Sequence, residues 1–185
     1  MAKAPLHREK LIQAAIRLYR EKGYANTGLS EILAISGAPK GSLYYYFPGG
    51  KEALTVEAIR VAGAVVERTL LNLAEKAASP RQFIESYCAL LAEWMTASRF
   101  KSGCPIASTV LEVVPNSGAI TSQCRKAFET WIAVVATVFA RTNCAPSQAR
   151  EKAEQMIAAI EGALLLARVQ QSSRPLALVP HLLQQ

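Results

Sequence analysis

The chain has 185 residues, of which 51% are hydrophobic and 19% charged, and its net charge is +7 at pH 7. This length accommodates a small binding module and a second hydrophobic core, since domains commonly hold about 100–150 residues and can be smaller. The most apolar stretch, 159–169, is interrupted by Glu161 and Arg168 and is shorter than the about 20 apolar residues that span a bilayer. No signal-peptide pattern opens the chain, so we expect a cytoplasmic protein without a membrane partner.

Residue types that perform catalysis or bind metals are sparse. The chain has no aspartate, no glycine-rich phosphate loop and no nucleophile elbow. Its four cysteines, at positions 88, 104, 124 and 144, form no Cys-x-x-Cys pair, and only His7 and His181 offer imidazoles. We therefore expect no metal, no cofactor and no enzymatic activity. The cysteines are interpreted as buried or pocket-lining thiols rather than redox switches.

The first predicted helix spans 5–22 and ends at Gly23, with an apolar stripe facing a basic one. The first 51 residues contain eight Lys and Arg against three Glu, which is five of the seven net positive charges. This concentration of charge is typical of a nucleic-acid binder, although a solvated basic surface is the alternative. Lys3 and Arg8 lie near the start of the helix and are expected to be free to meet phosphates.

Two short helices separated by a glycine-containing turn follow, at 29–35 and 39–45. The first ends near Gly37, and the second begins with a proline, whose fixed φ suits the first helical position. Leu43 and Phe47, at i and i+4, form an anchoring face on the second helix. This is the layout of a helix-turn-helix, in which the second helix reads the major groove of DNA.

Outside its two anchors, the second helix carries a cation, small residues and phenols. A helical hairpin inside a core is the alternative, but a core helix has no need of Lys40, Gly41 and Ser42 in its first turn. Small residues and a positive charge there suit the close approach of a phosphate or a base edge. We therefore expect base contacts from Lys40, Gly41, Ser42, Tyr44 and Tyr45, and phosphate contacts from Thr27, Tyr46 and Lys51.

The segment 37–47, Gly-Ala-Pro-Lys-Gly-Ser-Leu-Tyr-Tyr-Tyr-Phe, resembles the recognition-helix signature of TetR/AcrR transcriptional regulators. Pro-Gly-Gly-Lys-Glu at 48–52 and Gly-Cys-Pro at 103–105 resemble the LmrA/YxaF-like branch of that family. The resemblance implies a homodimer formed by the last two helices and a small-molecule pocket among the fourth to eighth helices. Ala38 and Pro39 stand where many relatives have Ser or Thr, which implies that phosphate contacts from those hydroxyls are absent here.

The rest of the chain is predicted to be helical, with no β pattern. A proline-free helix at 51–76 is long enough to leave the DNA-binding module and enter a second one. Five further helices are predicted, at 80–98, 104 or 105 to 114, 119–141, 147–171 and 175–183. We therefore predict an all-α fold of nine helices. A three-helix DNA-binding domain, 1–50, is joined through the fourth helix to a six-helix effector-binding and dimerisation domain, 51–185.

The predicted eighth helix turns apolar on nearly all sides after Met156, and such a helix must be buried on two sides. An entirely internal core helix is the alternative. A dimer is favoured because one helix-turn-helix contacts too few bases to specify a site alone. We expect an isologous interface at Ala159, Ala163, Leu166, Gln170, Leu176, Val179 and Leu182.

Large side chains recur at helical spacing on three body helices. The family resemblance, together with Met and Cys as adaptable lining, favours a ligand pocket there. A packed aromatic core is the alternative. The predicted effector is largely apolar or aromatic, and neutral or cationic because two glutamates lie among the lining residues. That lining is Tyr87, Trp94, Met95, Cys104, Glu112, Phe128, Trp131, Val135, Met156, Ile160 and Glu161.

These patterns and the family resemblance together imply a ligand-responsive transcriptional repressor that binds a palindromic operator as a dimer. An enzyme would have to use Glu112, Glu161 and Arg168, which are better interpreted as a buried pair, a ligand hydrogen bond or a cap. A DNA-binding regulator without a small-molecule effector, structural or redox-responsive, is the other alternative. A structural DNA binder would lose its DNA to a competitor duplex of random sequence.

Overall fold

The computed structural model describes residues 4–182, and this part of the chain folds as α-helices without a strand. The all-α prediction is confirmed, and every predicted helix is present with ends that differ by about one residue. The expectations for Lys3 and for residue 183 lie outside the described residues. No helix in the described range is long and apolar enough to cross a membrane. The helices are α1 Ala4–Lys22, α2 Leu29–Ser36, α3 Lys40–Tyr46, α4 Gly50–Lys76, α5 Pro80–Ala97, α6 Pro105–Val113, α7 Gly118–Ala140, α8 Pro146–Gln170 and α9 Arg174–Leu182.

Packing divides the chain into two compact units. The first unit is the chain up to Ala64 together with Pro105–Ala127, and the second is Val65–Cys104 together with the chain from Phe128 onward. Helices α4 and α7 each contribute to both units, and α6 belongs to the same unit as the helix-turn-helix. The functional boundary predicted at residue 50 is a separate matter and stays a prediction.

In the first unit, α1 packs against α2, α3 and α6. Leu18 on α1, Ile32 on α2 and the two predicted anchors, Leu43 and Phe47, share one core of nearly fully buried side chains. Gly37 ends α2 with a φ of 62° and donates its N–H to the carbonyl of Leu33, which produces the tight turn into α3. Helix α3 is therefore held through its apolar side, which leaves its other side facing outward.

In the second unit, α9 packs against α5 and α8, and α5 also contacts α8. Ser79 caps α5 by accepting a hydrogen bond from the N–H of Gln82, and Pro80 takes the first helical position, as its sequence predicts. The core is aromatic and aliphatic. Its nearly fully buried members include Phe83, Tyr87 and Leu91 from α5, Trp131, Val135 and Val138 from α7, Met156 and Ile160 from α8, and Leu176 and Val179 from α9.

Candidate DNA interface and effector site

The outward face of α3 presents the side chains predicted to contact bases. Tyr44 is 53% exposed and Tyr45 is 78% exposed, and Lys40 and Gly41 are exposed as well. Ser42 is half-buried. An ammonium, a hydroxyl and two phenols on one short helix offer donors and acceptors to base edges and phosphates.

Tyr46 and Thr27, both predicted to contact phosphates, differ in position. Tyr46 is half-buried, and its ring meets that of Tyr45 edge to face at 4.9 Å. Thr27 is only 1% exposed, and its hydroxyl donates a 2.7 Å hydrogen bond to the carbonyl of Gly23. The expectation for the Thr27 hydroxyl therefore needs correction: it ties down the loop between α1 and α2 and does not face outward.

Lys51, at the start of α4, is held by Tyr24. Its Nζ donates a 2.7 Å hydrogen bond to the Tyr24 carbonyl and lies 3.9 Å from the centre of the Tyr24 ring. Partial burial lowers the pKa of Lys51, and nearby Glu112 acts in the opposite direction. An ammonium has three donors, so one fixed by Tyr24 retains others for a phosphate. Tyr24 has no periodic signal in the sequence and was missed there.

Arg8 was expected to be free for phosphate and is instead paired. Its guanidinium lies 2.6 Å from Oε1 of Glu57 and 5.7 Å from the centre of the Phe47 ring. Glu57 also binds Arg60, and the Arg60 hydrogen bond is the main cause that lowers the pKa of Glu57, with Arg8 adding to it. Arg8 therefore joins α1 to α4 inside the first unit. The partner lies 49 residues away along the chain, which a local pattern cannot reveal.

Glu112 was predicted to line the effector pocket, and its position corrects that expectation. It lies on α6 in the first unit, whereas the other predicted lining residues lie in the second. Its carboxylate accepts a hydrogen bond from the backbone N–H of Ala25. Ser108, also on α6, donates to the carbonyl of Tyr19 at 3.0 Å. Hydrogen bonds from α6 therefore hold the end of α1 and the turn that follows it.

Gly23 and Gly37 form a matched pair for measuring the contact between Glu112 of α6 and the turn after α1. Both have positive φ, but a Cβ on Gly23 would lie 2.0 Å from Oε1 of Glu112, whereas a Cβ on Gly37 would meet no atom within 4 Å. Gly37→Ala should lower the free energy of unfolding by about 1–2 kcal/mol, the cost of a left-handed backbone. Gly23→Ala should cost more, because the Glu112 carboxylate must also move.

Denaturant unfolding of a double-mutant cycle checks this expectation. In a Glu112→Ala background, the cost of Gly23→Ala should fall to that of Gly37→Ala. Equal costs of Gly23→Ala with and without the Glu112 carboxylate would contradict the contact.

In the second unit, three predicted pocket residues form a polar cluster. The Cys104 thiol is hydrogen-bonded to the Glu161 carboxyl on α8, and burial raises the pKa of Glu161 to about 7 despite that bond. Tyr87 on α5 is buried beside them. Burial is the main cause that raises the pKa of the Tyr87 phenol, and Cys104, Glu161 and Cys88 raise it further.

The Gly-Cys-Pro motif connects this cluster to α8. A Cβ on Gly103 would lie 3.5 Å from Nη1 of Arg168, Cys104 binds Glu161, and Pro105 is the first residue of α6. Arg99 and Phe100 just before it have φ values of 52° and 58°, a left-handed backbone that non-glycine residues seldom adopt. The segment between α5 and α6 is therefore shaped to meet α8 rather than to form a loose loop.

The apolar residues of the predicted lining lie around the core of the second unit. The Phe128 and Trp131 rings meet at 5.0 Å with an interplanar angle of 72°. Trp94 departs from the prediction because it lies at the outer edge of α5, 38% exposed. The remaining members are nearly fully buried: Met95, Trp131, Val135, Met156 and Ile160.

The raised pKa of Glu161 makes stability depend on pH. The folded-state pKa of Glu161, about 7, lies above the ordinary value. The contribution of this carboxyl to stability is therefore greatest below about pH 4.5, where it is neutral in both the folded and the unfolded state. This contribution to the free energy of unfolding is lost as pH rises through about 7. Relative to the wild type, Glu161→Gln should therefore raise the free energy of unfolding at pH 8 by up to about 3 kcal/mol, and much less at pH 5.

Denaturant unfolding at the two pH values measures the difference. Glu93→Gln, which changes an exposed glutamate on α5, is the matched control and should show no such dependence. If Glu161→Gln changed the free energy of unfolding equally at pH 5 and at pH 8, a raised pKa of Glu161 would be contradicted.

The predicted dimer face needs correction at three positions. Ala163, Leu176 and Val179 are buried within the protomer, so a partner could bury little more of them. Ala159 is half-buried, and Gln170 is exposed. The exposed apolar surface of α8 and α9 is instead Leu165, Leu166, Val169, Leu178 and Leu182, which includes three residues that the sequence reading did not select. We call these five residues the α8–α9 stripe.

Comparison with known proteins matches both parts of the chain. The family model described as bacterial regulatory proteins, tetR family, matches residues 11–58. The model described as transcriptional regulator LmrA/YxaF-like, C-terminal domain, matches residues 80–181.

Individual relatives and solved structures agree with these two family models. The HTH-type transcriptional regulator LmrA of Bacillus subtilis (strain 168) is 34% identical over 91% of this chain and 90% of its own. The uncharacterised HTH-type regulator YxaF of the same strain is 32% identical over 93% and 90%. Among solved structures, the regulatory protein TetR from Rhodobacter sphaeroides aligns with a TM-score of 0.86 at 25% identity, covering 96% of this chain and 97% of that one. The reduced form of E. coli NemR aligns with a TM-score of 0.82 at 26% identity, covering 96% of each chain.

The exposed recognition helix on a buried anchor, the all-helical fold and these matches agree with one another. The chain therefore belongs to the TetR family of helix-turn-helix DNA-binding transcriptional regulators, which are not enzymes, and its C-terminal domain is of the LmrA/YxaF type.

Proposed function

We propose that the chain is a ligand-responsive repressor that binds a palindromic operator as a homodimer and releases it when a small effector binds. The observation that carries the proposal is α3, which buries Leu43 and Phe47 and exposes Lys40, Tyr44 and Tyr45. A helix fixed in this way presents the same groups to the major groove at each encounter. Membership of the TetR family supports operator binding directly.

Base contacts are assigned to Lys40, Gly41, Ser42, Tyr44 and Tyr45, and phosphate contacts to Tyr46 and Lys51. Thr27 contributes by holding the loop between α1 and α2, since its hydroxyl is bonded to Gly23. Lys51 reaches the phosphate from a position fixed by Tyr24. These groups divide into those that read sequence and those that set position on the duplex.

The homodimer is assigned to the α8–α9 stripe. Five large apolar side chains exposed on two neighbouring helices favour contact with another apolar surface, and a two-fold axis lets the stripe meet its own copy. A dimer also explains how short recognition helices specify a site, because two half-sites are read at once.

The effector is assigned to the second unit, among α5, α7 and α8. Aromatic and thioether side chains favour a largely apolar or aromatic guest, and Tyr87, Cys104 and Glu161 supply polar contacts that orient it. Differential affinity of the effector for two shapes of this unit becomes differential affinity for DNA. Helix α4, which belongs to both units, is the covalent route between them.

A redox-responsive regulator is the less favoured alternative. Burial raises the pKa of Cys88 and of Cys124 to about 11, so both remain thiols at neutral pH. Reactivity with oxidants follows the thiolate. Cys88 and Cys124 are therefore poor candidates for a redox signal.

A panel of hydrophobic aromatic compounds, scored by fluorescence anisotropy for release of a labelled operator, tests the effector assignment. A compound that releases the wild type should need at least about ten times more concentration with Trp131→Phe, because Trp131 is buried beside Phe128. Trp94→Ala, at the outer edge of α5, should change release far less.

Trp131→Phe keeps an aromatic ring, so thermal unfolding and operator affinity without ligand should remain close to those of the wild type. If the same concentration of compound released the operator from the wild type, Trp131→Phe and Trp94→Ala, an effector site in this part of the second unit would be contradicted.

A further inference from the structure

The peptide bond between Tyr24 and Ala25, in the turn between α1 and α2, is bound by a charged side chain on each of its two edges. Its carbonyl oxygen accepts a 2.7 Å hydrogen bond from Nζ of Lys51. Its N–H donates a 2.5 Å hydrogen bond to Oε2 of Glu112 on α6. The C=O and N–H of a trans peptide point in opposite directions. Glu112 and Lys51 therefore hold one peptide plane from opposite sides, and both belong to the first unit.

Gly23 allows the Glu112 carboxylate to reach this turn. Its φ is 84°, and a Cβ at this position would lie 2.0 Å from Oε1 of Glu112. The carboxylate thus lies directly against the backbone, where a residue with a side chain would displace it. The N–H of Thr27 also donates to the Tyr24 carbonyl, at 3.1 Å. These bonds together fix the orientation of the Tyr24–Ala25 peptide.

The two hydrogen bonds on this peptide reinforce each other. A carboxylate bonded to the N–H polarises the peptide, which makes the carbonyl oxygen a stronger acceptor for the Lys51 ammonium. Partial burial lowers the pKa of Lys51, and the Glu112 carboxylate opposes this effect. The Lys51 ammonium also lies 3.9 Å from the centre of the Tyr24 ring. A lysine held in this way loses less side-chain freedom when it binds a phosphate.

We propose that Glu112 is a positioning residue for DNA binding, which holds Lys51 in place for a phosphate through the Tyr24–Ala25 peptide. This inference rests on the proposed function, because it concerns the phosphate contact assigned to Lys51. The proposal predicts a sign that charge alone does not. Removal of a negative charge would strengthen the general attraction to DNA, whereas loss of the positioning bond weakens binding.

Glu112→Ala should lower the affinity for a labelled operator by about tenfold at fixed salt, because each protomer of the dimer loses a phosphate contact. The slope of log affinity against log salt should decrease by about one for each protomer. A duplex of random sequence should show a similar loss, since phosphate contacts carry no sequence information. Glu112 is exposed, so the variant should fold, and fluorescence anisotropy measures both quantities.

Gly23→Ala reaches the same bond without changing any charge. Its Cβ displaces the carboxylate, so it should weaken binding as Glu112→Ala does and add no further loss in a Glu112→Ala background. Glu112→Ala should likewise add nothing to Lys51→Ala. Glu112→Gln keeps an oxygen that accepts from the Ala25 N–H and should bind within about twofold of the wild type.

Two controls separate positioning from a general loosening of the unit and from charge. Ser108→Ala removes the other hydrogen bond from α6 to α1, at the Tyr19 carbonyl, and should leave the affinity and the salt slope unchanged. Glu9→Ala removes the negative charge of an exposed glutamate on α1, and its affinity should equal or slightly exceed that of the wild type.

Unchanged or tighter binding by Glu112→Ala, an unchanged salt slope, or an equal loss in Glu112→Gln would overturn the inference. A Glu112→Ala loss that persists in full after Lys51→Ala would overturn it as well. If the wild type preferred no operator to random DNA, while the losses from Glu112→Ala and Lys51→Ala appeared on random duplexes, the operator-specific repressor would be refuted and the positioning role would stand.

Discussion

A dimer carrying Lys40→Ala and Tyr44→Ala should lose at least about 100-fold in operator affinity. A contact to a base edge contributes about 1–3 kcal/mol, and the double substitution removes two side chains from each of two recognition helices. Both side chains are exposed, so the helix-turn-helix core of Leu43, Phe47 and their neighbours should fold as before. Fluorescence anisotropy with a labelled operator at fixed salt measures the loss.

Lys152→Ala is the control for the removed charge, since Lys152 is exposed on α8 in the second unit. Its operator affinity should be that of the wild type. If the Lys40→Ala/Tyr44→Ala protein still footprints the same site with the same affinity, α3 does not read the DNA.

Val169→Glu should convert the proposed dimer into a folded monomer. Val169 is 75% exposed in the protomer, so a glutamate there is harmless in the monomer. Burying the charge in an apolar two-fold interface, once from each partner, costs several kcal/mol per ion. Sedimentation velocity should show the monomer, and operator affinity should fall with it, because a monomer reads one half-site.

Two matched substitutions separate dissociation from unfolding. Leu111→Glu changes a 79% exposed leucine on α6, outside the α8–α9 stripe, and should leave the dimer intact. Ala163→Glu places a charge inside the protomer core and should reduce the free energy of unfolding rather than produce a folded monomer. A folded Val169→Glu protein that sediments as a dimer would remove the α8–α9 stripe as the interface.

Local patterns predicted most of the helical framework. Glycines end α1 and α2, prolines begin α5 and α6, and Leu43 and Phe47 mark the buried side of α3 at helical spacing. These signals act within a few residues, so they survive without knowledge of the tertiary fold. The exposed face of the recognition helix follows from the same spacing.

Contacts between segments far apart in the sequence could not be predicted from such local patterns. Glu112 and Glu161 each stand among apolar residues of their helix, yet one binds the Ala25 N–H and the other a thiol in the other unit. The sequence treats them alike because only tertiary packing separates them. For the same reason Lys51 could not be assigned to Tyr24, nor Arg8 to Glu57.

Helix α8 shows a different limit. Its sequence is apolar on nearly every side after Met156, so periodicity does not distinguish the face turned to its own core from an exposed one. Ala163 was assigned to the partner, whereas Leu165 and Val169 are the exposed positions. The packing of α9 against α5 and α8 distinguishes the two faces of α8, because α9 covers one face and leaves the other exposed.

Selection of duplexes from a random-sequence library, followed by footprinting of the selected site in excess random competitor, tests the central claim most directly. The account predicts a palindromic consensus with half-sites about one DNA turn apart, two protomers per duplex, and a footprint that persists in the competitor. Selected duplexes without a consensus, or a footprint erased by random DNA, would show a structural DNA binder instead of an operator-specific regulator.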